Sequence, residues 1–374
     1  MRVYEKIIVR LKRMIRQNHK AGDRLPPIRQ LASRFRVSPV AICQSLAVLT
    51  HEGLVERRVG SGVYVREQVD ERPVGVVLGI DFAIPGSSYF WRQLTQEVRL
   101  RLAEQGVRSR LYAGFWRPER GDGYPLCQEL NDDIVNDRLR AVACVSGPFL
   151  PGWDTVLRER GVPMVAYGRE TGGDRDFSVN LDYSGMIREA TARLIAAGRR
   201  KLAFITWTGP LGSGLRQPNL HLEAFASVLA EHHLPLNEHW VREEFSPHLT
   251  GGTWEEFREI WTGSDEKPDG LIVTDDVLFR GVAKAVGELG IRVPEQLLIV
   301  TQANRGAIEE CPFPTWRMVS DPDLVGQAMV DLLLPLLRRQ PIPNSQIRLP
   351  VQLEIPDSSN ADPSAVEPIT QMRS

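Results

Sequence analysis

Six apolar runs that alternate with stretches of helical pattern constrain the fold of residues 73–356 more than any other feature of the sequence. The runs read VGVVLGI, AVACVSG, PMVAYG, KLAFITW, GLIVTDD and LLIVTQA. Because they show no regular alternation of apolar and polar residues, we expect each run to be buried on both faces. Strands of this kind, separated by helices, are typical of parallel sheets with helices on both sides. We therefore predict an α/β fold, and the length of the region suits two such lobes.

A different pattern occupies the N-terminal part of the chain. Ile7, Leu11, Met14 and Ile15 recur at helical spacing. The segments IRQLASRF and PVAICQSLAVLTHEG read as two further helices separated by the tight turn RVS, and LVERRVGSGVYV reads as two strands around a glycine-rich turn. Three helices followed by a hairpin predict a winged helix-turn-helix.

The charge is distributed unevenly between these two regions. Residues 1–72 hold 15 Lys and Arg against 7 Asp and Glu, whereas the remaining residues hold 31 against 40. A basic region attached to an acidic one suggests that the first region alone binds a polyanion. Charge by itself leaves the alternative of an ordinary solvated surface open.

The N-terminal motifs resemble a known family. AGDRLPPIRQLASRFRVS, followed by SLAVLTHEGLVERRVGSGVYV, is similar to the GntR-type DNA-binding domain over about residues 4–66. The resemblance implies a winged helix-turn-helix that binds double-stranded operator DNA through its third helix and its wing.

The predicted third helix has an unusual set of side chains for a helix that reads DNA. Ser38 is a good N-cap, and Pro39 at the first helical position costs nothing because its N–H would be unpaired anyway. The family usually has Arg at Pro39, Thr at Ala41 and often Arg at Cys43. Without those arginines, Gln44 is left as a candidate for pairing with adenine, and Ala41 as a candidate for contacting a thymine methyl group. Either side chain could equally be inert.

The phosphate contacts must then come from outside that helix. The candidates are arginines that flank it or lie on the wing: Arg24, Arg29, Arg34, Arg36, Arg57 and Arg58. By resemblance, Arg29 matches a phosphate or base contact, and Gly60 matches a wing tip that enters the minor groove. We expect DNA binding with a strong salt dependence and an unusual, A/T-leaning site.

The polar segment REQVDERP ends in proline and marks a boundary. We predict a DNA-binding domain at 1–66, a linker at 67–73, an effector domain at 74–356 and a disordered tail at 357–374.

The order of motifs in the C-terminal region resembles LacI-type effector domains, which share the fold of periplasmic sugar-binding proteins. The segments are VGVVLGI, LRERGVPMVAYGRE, VNLDYSGMIREATARLIAAGRRKLAFI, KPDGLIVTDDVLFRGVAKAVGELGIRVPEQLLIV and VSDPDLVGQAMVDLLLPLL. The resemblance implies two lobes with parallel sheets and chain crossings near 180, 301 and 319. A GntR-type head on a LacI-type body resembles the arabinose-repressor group.

Ligands of parallel sheets bind beyond the carboxyl ends of the strands, which in this fold places them between the lobes. By resemblance, the candidate ligand contacts are Phe90, Trp91, Arg169, His221, Phe245, Asp275 and Gln302. The aromatic candidates either stack on a sugar or belong to the core.

Two of the polar candidates depart from the family pattern, and a third matches it. His221 stands where the family commonly has an arginine, and neutral imidazole has a single N–H, so it cannot donate to two ligand oxygens at once. Asp275 and Asp276 match a pair of which one usually faces the cleft while the other caps a helix. Gln302 lies where the family often has an aspartate. A sugar or related polyol is the leading ligand, with a nucleoside or amino acid as alternatives.

These features predict a ligand-responsive transcription regulator, most readily a repressor, that acts as a cytoplasmic homodimer. The alternatives are a DNA-binding protein with a degenerate, ligand-free body and an enzyme with a DNA-binding appendage. We favour a non-enzyme because the sequence contains no phosphate loop, GxSxG or HExxH motif. No membrane span, secretory signal, metal site or cofactor is expected, since the chain lacks a long apolar run and its four cysteines are far apart.

Overall fold

A computed structural model describes ten segments of the chain: residues 3–66, 70–79, 89–113, 128–146, 153–168, 177–207, 219–244, 252–307, 311–338 and 340–356.

The head, residues 3–66, contains three helices and a two-stranded antiparallel sheet. Its elements are α1 (Val3–Asn18), α2 (Ile28–Phe35), α3 (Pro39–His51), β1 (Val55–Arg58) and β2 (Gly62–Val65). Apolar side chains from every one of these elements meet in a single core, in which Leu11, Leu31 and Leu46 are fully or almost fully buried. The predicted winged helix-turn-helix is confirmed.

The first lobe is built on a six-stranded sheet with the order β13-β7-β6-β5-β3-β4. Its first eight elements are β3 (Val74–Leu78), α4 (Tyr89–Glu104), β4 (Ser109–Ala113), α5 (Gln128–Val135), β5 (Ala141–Ser146), α6 (Trp153–Arg160), β6 (Met164–Tyr167) and β7 (Phe177–Leu181). The chain returns to this lobe late, with α11 (Pro322–Arg338) and β13 (Gln346–Leu349).

The second lobe is built on a sheet with the order β14-β12-β11-β10-β8-β9. Its elements are α7 (Tyr183–Ala196), β8 (Leu202–Trp207), α8 (Leu220–Glu231), a 3₁₀ turn (Glu238–Trp240), β9 (Val241–Glu244), α9 (Gly252–Thr262), β10 (Gly270–Val273), α10 (Asp276–Glu288), β11 (Leu298–Asn304), β12 (Trp316–Ser320) and β14 (Gln352–Glu354). All paired strands of the two lobes are parallel except β12 and β14.

Both sheets are covered by helices on both faces. In the first lobe, α4 and α11 pack through Leu94 and Met329 on one face, and α5 and α6 cover the other. In the second lobe, α7 and α8 pack through Ile187 and Phe225, whereas α9 and α10 pack through Phe257 on the opposite face. This double cover explains why the six apolar runs lack alternation, and it confirms the predicted α/β class with two lobes.

Within the described residues, the chain passes between the two sheets at three places. The first follows β7, the second follows β12, and the third joins β13 to β14. The predicted crossing near 301 is wrong, because Thr301 lies inside β11 and pairs with β10 and β12 of the same sheet. The actual third crossing lies between Leu349 and Gln352.

Candidate functional site

The third helix of the head begins with a well-formed N-cap. The hydroxyl of Ser38 accepts a hydrogen bond from the backbone N–H of Ala41 at 3.2 Å, and Pro39 occupies the first helical position. The apolar face of α3 is anchored in the head core by Ile42 and Leu46. The helix is therefore held firmly, with its opposite face directed to solvent.

The exposed face of α3 presents a mixed apolar and polar surface. Val40 is 65% exposed, and Gln44 and Ala47 are also exposed on the same side of the helix. Ala41 is instead partly buried against the head core. The apolar pattern of this helix predicts a core position for Val40, and that prediction is wrong, because its spacing of four residues from Gln44 places the two on the exposed face.

The predicted phosphate-contacting arginines differ in their surroundings. Arg29, Arg36 and Arg57 are exposed, and Arg36 has the left-handed backbone conformation that ends α2. The side chain of Arg24 is also exposed and lies against Gly62 of the wing. Arg34 donates to the sulfur of Met14 at 3.9 Å, so it faces α1.

The wing is braced from within. The guanidinium of Arg58 donates to Glu56 at 2.6 Å and stacks over the ring of Tyr64 at 4.3 Å. At the tip, Val59 is fully exposed and Gly60 has φ +72, with open space where a side chain would stand. The tip can therefore approach a groove closely.

A polar network lies at the carboxyl ends of the second-lobe strands. The Oε1 atom of buried Gln302 accepts from the backbone N–H of Asp276 at 3.0 Å. Its Nε2 atom donates to Oδ1 of Asn304 at 2.8 Å and to Oγ of Ser320 at 3.2 Å. The Asp276 N–H can only donate, which fixes the orientation of the Gln302 amide and in turn that of Asn304.

This orientation leaves one buried donor available. The Nδ2 atom of Asn304 is buried and has no hydrogen-bond partner among the described residues. A buried amide donor without an acceptor is costly, so an acceptor from outside the described residues is expected to satisfy it. Gln302, the predicted contact, is fully engaged in orienting the network, and Asn304 was missed.

Tyr183 and His221 complete the polar side of the cleft. The Tyr183 hydroxyl hydrogen-bonds Ser320 at 2.6 Å, and its ring lies 5.7 Å from that of His221. Burial raises the pKa of Tyr183 and lowers the pKa of His221 to about 4. Both side chains are therefore neutral at pH 7, and both can exchange hydrogen bonds with hydroxyl groups.

The two adjacent aspartates have separate roles. Asp275 caps α10, accepting from the backbone N–H of Val277 at 2.8 Å and of Leu278 at 3.4 Å. Asp276 is the buried member of the pair, only 4% exposed. The carboxylate that was expected to contact ligand thus serves as the helix cap.

An aromatic cluster lies on the first-lobe side. Phe90, Trp91 and Tyr167 have ring centroids 5.2 to 5.6 Å apart. Phe90 is 6% exposed and belongs to the lobe core, whereas Trp91 is only partly buried. Burial raises the pKa of Tyr167, and Tyr183 adds to the shift.

One contact brings the lobes together. Gly306, which follows β11, has φ +81, and a side-chain carbon placed there would lie 3.0 Å from the hydroxyl of Tyr89 in α4. The positive φ favours glycine at this position, and the close approach shows that the turn after β11 lies against α4. Of the predicted contacts, Arg169 and Phe245 lie outside the described residues.

Two further kinds of feature are absent from the described segments. No group of three His, Cys, Asp or Glu side chains there converges as metal ligands. None of the helices in those segments is long and apolar enough to cross a bilayer.

Comparison with known families assigns both parts of the chain. Residues 191–359 match the periplasmic binding protein-like domain, and residues 3–65 match the bacterial regulatory proteins of the gntR family. The chain joins a head that matches the gntR family to a body that matches, in its second half, the periplasmic binding protein-like domain. The match of the body runs from the middle of α7 through β14, and the match of the head covers all three of its helices and the wing.

The chain is similar in sequence to transcription regulators. The chain is 23% identical over 235 residues to catabolite control protein A of Staphylococcus epidermidis, covering 61% of this chain and 66% of the relative. It is 39% identical over 62 residues to the probable transcriptional regulator PhnF of Escherichia coli, covering 17% of this chain and 26% of PhnF. The chain thus spans just under two thirds of the first relative.

Solved structures share the fold of the two-lobed body at low sequence identity. The cellobiose complex of the transcriptional regulator CelR has a TM-score of 0.62 at 20% identity, covering 88% of this chain and 99% of CelR. The regulator CcpA of Lactococcus lactis has a TM-score of 0.60 at 18% identity, covering 75% of this chain and 97% of CcpA.

Proposed function

We propose that this chain is a ligand-responsive transcription repressor. The head binds double-stranded operator DNA, the cleft between the lobes binds a small polyhydroxy molecule such as a sugar, and the ligand changes the affinity for DNA. The protein acts as a non-enzymatic homodimer in the cytoplasm, where it has access to the chromosome. The functional units are residues 1–66, 67–73, 74–356 and 357–374.

The orphan amide of Asn304 carries the ligand part of this proposal. A ligand that offers a hydroxyl or ring oxygen to Nδ2 would satisfy the donor that the protein leaves buried. Neutral His221 and the Tyr183 hydroxyl stand beside it and suit hydroxyl groups better than an anion. Trp91 supplies a partly buried ring on the opposite lobe for the apolar face of a sugar. Cellobiose bound to CelR and lactose bound to an Arthrobacter regulator of the same fold agree with this class of ligand.

The head supports DNA binding through distributed contacts. Gln44 and Val40 on α3 are the base-reading candidates, and the other DNA-contact positions are Arg24, Arg29, Arg36, Ser38, Pro39, Ala41, Arg57, Arg58 and Gly60. Most of the free energy of DNA binding comes from phosphate contacts, so affinity falls steeply as the salt concentration rises. Two heads in a homodimer would engage two half-sites, which makes the operator palindromic.

The proposal is tested by selecting duplexes from a random library with the full-length protein and measuring their affinity by fluorescence anisotropy. Mono- and disaccharides are then added one at a time, with a nucleoside and amino acids as comparison compounds. We expect at least one saccharide to change DNA affinity by about 5- to 150-fold, the usual size of such coupling. Failure to select any duplex contradicts DNA recognition, and DNA binding without any ligand response points to a ligand-free body.

The Asn304→Ala variant should lose the saccharide response while it keeps DNA binding. Asn136→Ala, at an exposed asparagine of the first lobe, is the matched control and should respond as the wild type does. Thermal melting of both variants separates loss of ligand contact from loss of folding. A full response in Asn304→Ala removes the basis of the ligand assignment.

A further inference from the structure

Folding leaves two large apolar side chains of the head in solvent. Among the head residues whose side chains the structure describes, these are Val40, 65% exposed in the first turn of α3, and Val59, fully exposed at the tip of the wing. By contrast, Ile42, Leu46 and Leu49 of α3 are buried in the head core. A single exposed valine is ordinary on a protein surface, so the surroundings of Val40 decide what it does.

The exposed side of α3 carries no charge. The whole helix, PVAICQSLAVLTH, contains no Lys, Arg, Asp or Glu, and Val40, Gln44 and Ala47 are exposed on one side of it. Reading guanine calls for an arginine or lysine, and accepting from cytosine calls for a carboxylate. Glutamine can pair with adenine, and an apolar side chain can contact the thymine methyl group. The residues on this side of α3 therefore suit A·T pairs.

Exposed arginines lie on the elements next to this uncharged side. Arg36 ends α2 two residues before the cap of α3, Arg29 lies in the first turn of α2, and Arg57 lies on the first strand of the wing. Positive charge beside an apolar centre is complementary to duplex DNA, because phosphates border a major groove in which the thymine methyl groups are exposed. The charge distribution thus favours a duplex over an apolar protein surface as the occupant.

The spacing along α3 sets which bases its side chains can reach. Four residues separate Val40 from Gln44 and advance the helix by about 6 Å, whereas base pairs stack at about 3.4 Å. The two side chains can therefore reach neighbouring base pairs or pairs one step further apart. The first turns of a recognition helix normally approach the base edges. Ala41, the methyl-contact candidate from the sequence, is partly buried against the head core and is less suited than Val40.

We propose that Val40 is a specificity-determining residue that reads the 5-methyl group of a thymine in the major groove, close to an adenine read by Gln44. This inference rests on the proposed function, because it needs a head that binds DNA through α3. Burial of one methyl group changes affinity by about fourfold. The methyl group is the only difference between thymine and uracil, so this contact distinguishes two bases that pair identically.

The test replaces each thymine of a selected duplex, one at a time, by deoxyuridine. Fluorescence anisotropy with the full-length protein measures the affinity for each duplex. For the wild type, uracil at one position of each half-site should weaken binding about fourfold. Val40→Ala should bind the thymine and uracil duplexes equally well at that position. A wild type that tolerates uracil at every position, or a Val40→Ala variant that still discriminates there, overturns the inference.

Val59→Ala is the matched control, because it truncates the second exposed valine of the head. The wing tip is expected in the minor groove, where no thymine methyl group lies. This variant should therefore keep the fourfold loss on uracil substitution. Loss of that discrimination in Val59→Ala would assign the effect to a general weakening of DNA binding and would also overturn the inference. Both valines are exposed, so both variants should melt at the wild-type temperature.

A methyl group on a different base gives a second readout. When the contacted T·A pair is replaced by C·G, 5-methylcytosine should bind the wild type about fourfold more tightly than cytosine does. Val40→Ala should show no such gain, and absence of the gain in the wild type contradicts methyl recognition. A wild type that selects no duplex at all contradicts the proposed function instead, so the two failures are distinguishable.

Discussion

Two adjacent arginines on the wing have different surroundings. Arg58 is paired with Glu56 and stacked on Tyr64, whereas Arg57 is exposed on the opposite face of the ladder. The negative charge of Glu56 offsets the positive charge of Arg58, so Arg58 serves mainly to stabilise the hairpin. Arg57 is the better candidate for a phosphate contact, a distinction that sequence alone could not make.

Arg57→Ala should weaken DNA binding and reduce the slope of log affinity against log salt by about one unit, because one phosphate contact releases about one counterion. Arg58→Ala should reduce the slope by less than half as much, since Glu56 neutralises much of its charge. Fluorescence anisotropy over a series of KCl concentrations measures both slopes. Equal slopes in the two variants would contradict the assignment.

His221 predicts a dependence of stability on pH. Burial lowers its pKa to about 4 in the folded chain, whereas an unfolded histidine titrates near pH 6.5. Between these values the unfolded state binds a proton that the folded state does not. The stability that neutral His221 contributes is therefore complete above about pH 6.5 and is lost as the pH falls toward 4.

His221→Gln should flatten the pH dependence of the free energy of unfolding between pH 4 and 6.5 relative to the wild type. Urea titrations at several pH values give the comparison. His232→Gln, at an exposed histidine after α8, is the control and should leave the wild-type dependence unchanged. A proton resonance of His221 that titrates near pH 6.5 would contradict the shifted pKa.

Among the elements, α3 is stabilised by its cap and its apolar face rather than by charge. The hydroxyl of Ser38 accepts a hydrogen bond from a backbone N–H of the first turn. Pro39 has no N–H that would need a partner there. The absence of arginine from the exposed face therefore changes what the helix can read, and it does not weaken the helix. Sequence patterns predicted this cap because capping depends on residues within one turn.

Ser38→Ala should cost about 1 kcal/mol of helix stability. Because about 1.4 kcal/mol corresponds to a tenfold change in an equilibrium constant, amides in the first turn of α3 should exchange about fivefold faster. Ser33→Ala, at an exposed serine of the neighbouring helix α2, is the control and should leave the rates in α3 unchanged. Ser38→Asp should restore protection, and exchange in Ser38→Ala at the wild-type rate would show that the cap is not needed.

At the scale of the whole molecule, bonds between the three crossings join the lobes. Tyr183 and Ser320 connect the first crossing to the second. The backbone N–H of Asp182 donates to the carbonyl of Leu349 at 2.8 Å and connects the first to the third. Arg305 connects the second to the third. Any closing of the lobes must preserve or rearrange these bonds.

Arg305→Ala should loosen the second and third crossings. Arg305 pairs with Asp321 at 3.1 Å, donates to Gln352 at 2.8 Å and reaches Glu354 at 3.5 Å. These groups are partly exposed, so the loss of stability should be about 1 kcal/mol or less, and amides of β14 should exchange up to about fivefold faster. Arg193→Ala, which breaks an exposed pair within α7, is the control and should not affect β14.

The sequence predicted the elements of the fold better than their connections. The six apolar runs correspond to β3, β5, β6, β8, β10 and β11, and the other six described strands of the two sheets lie outside them. Two of those, β13 and β14, are short strands at sheet edges with alternating or polar side chains. Without β13 and β14, the third crossing was predicted near residue 301, whereas it lies between Leu349 and Gln352. In the cleft, motif positions identified His221 and Gln302, but the available donor belongs to Asn304.

Local patterns in the sequence thus determined the winged head, the capped third helix and two doubly covered parallel sheets, because apolar spacing and capping act within a few residues. The tertiary structure decided that Asp275 caps α10, that Phe90 belongs to a core, that Asn304 carries the open donor and that Arg72 lies between Asp70 and Asp137. Each of these depends on partners brought together by folding, such as Asp137, which is 65 residues from Arg72. No pattern along the chain encodes the geometry of such a contact.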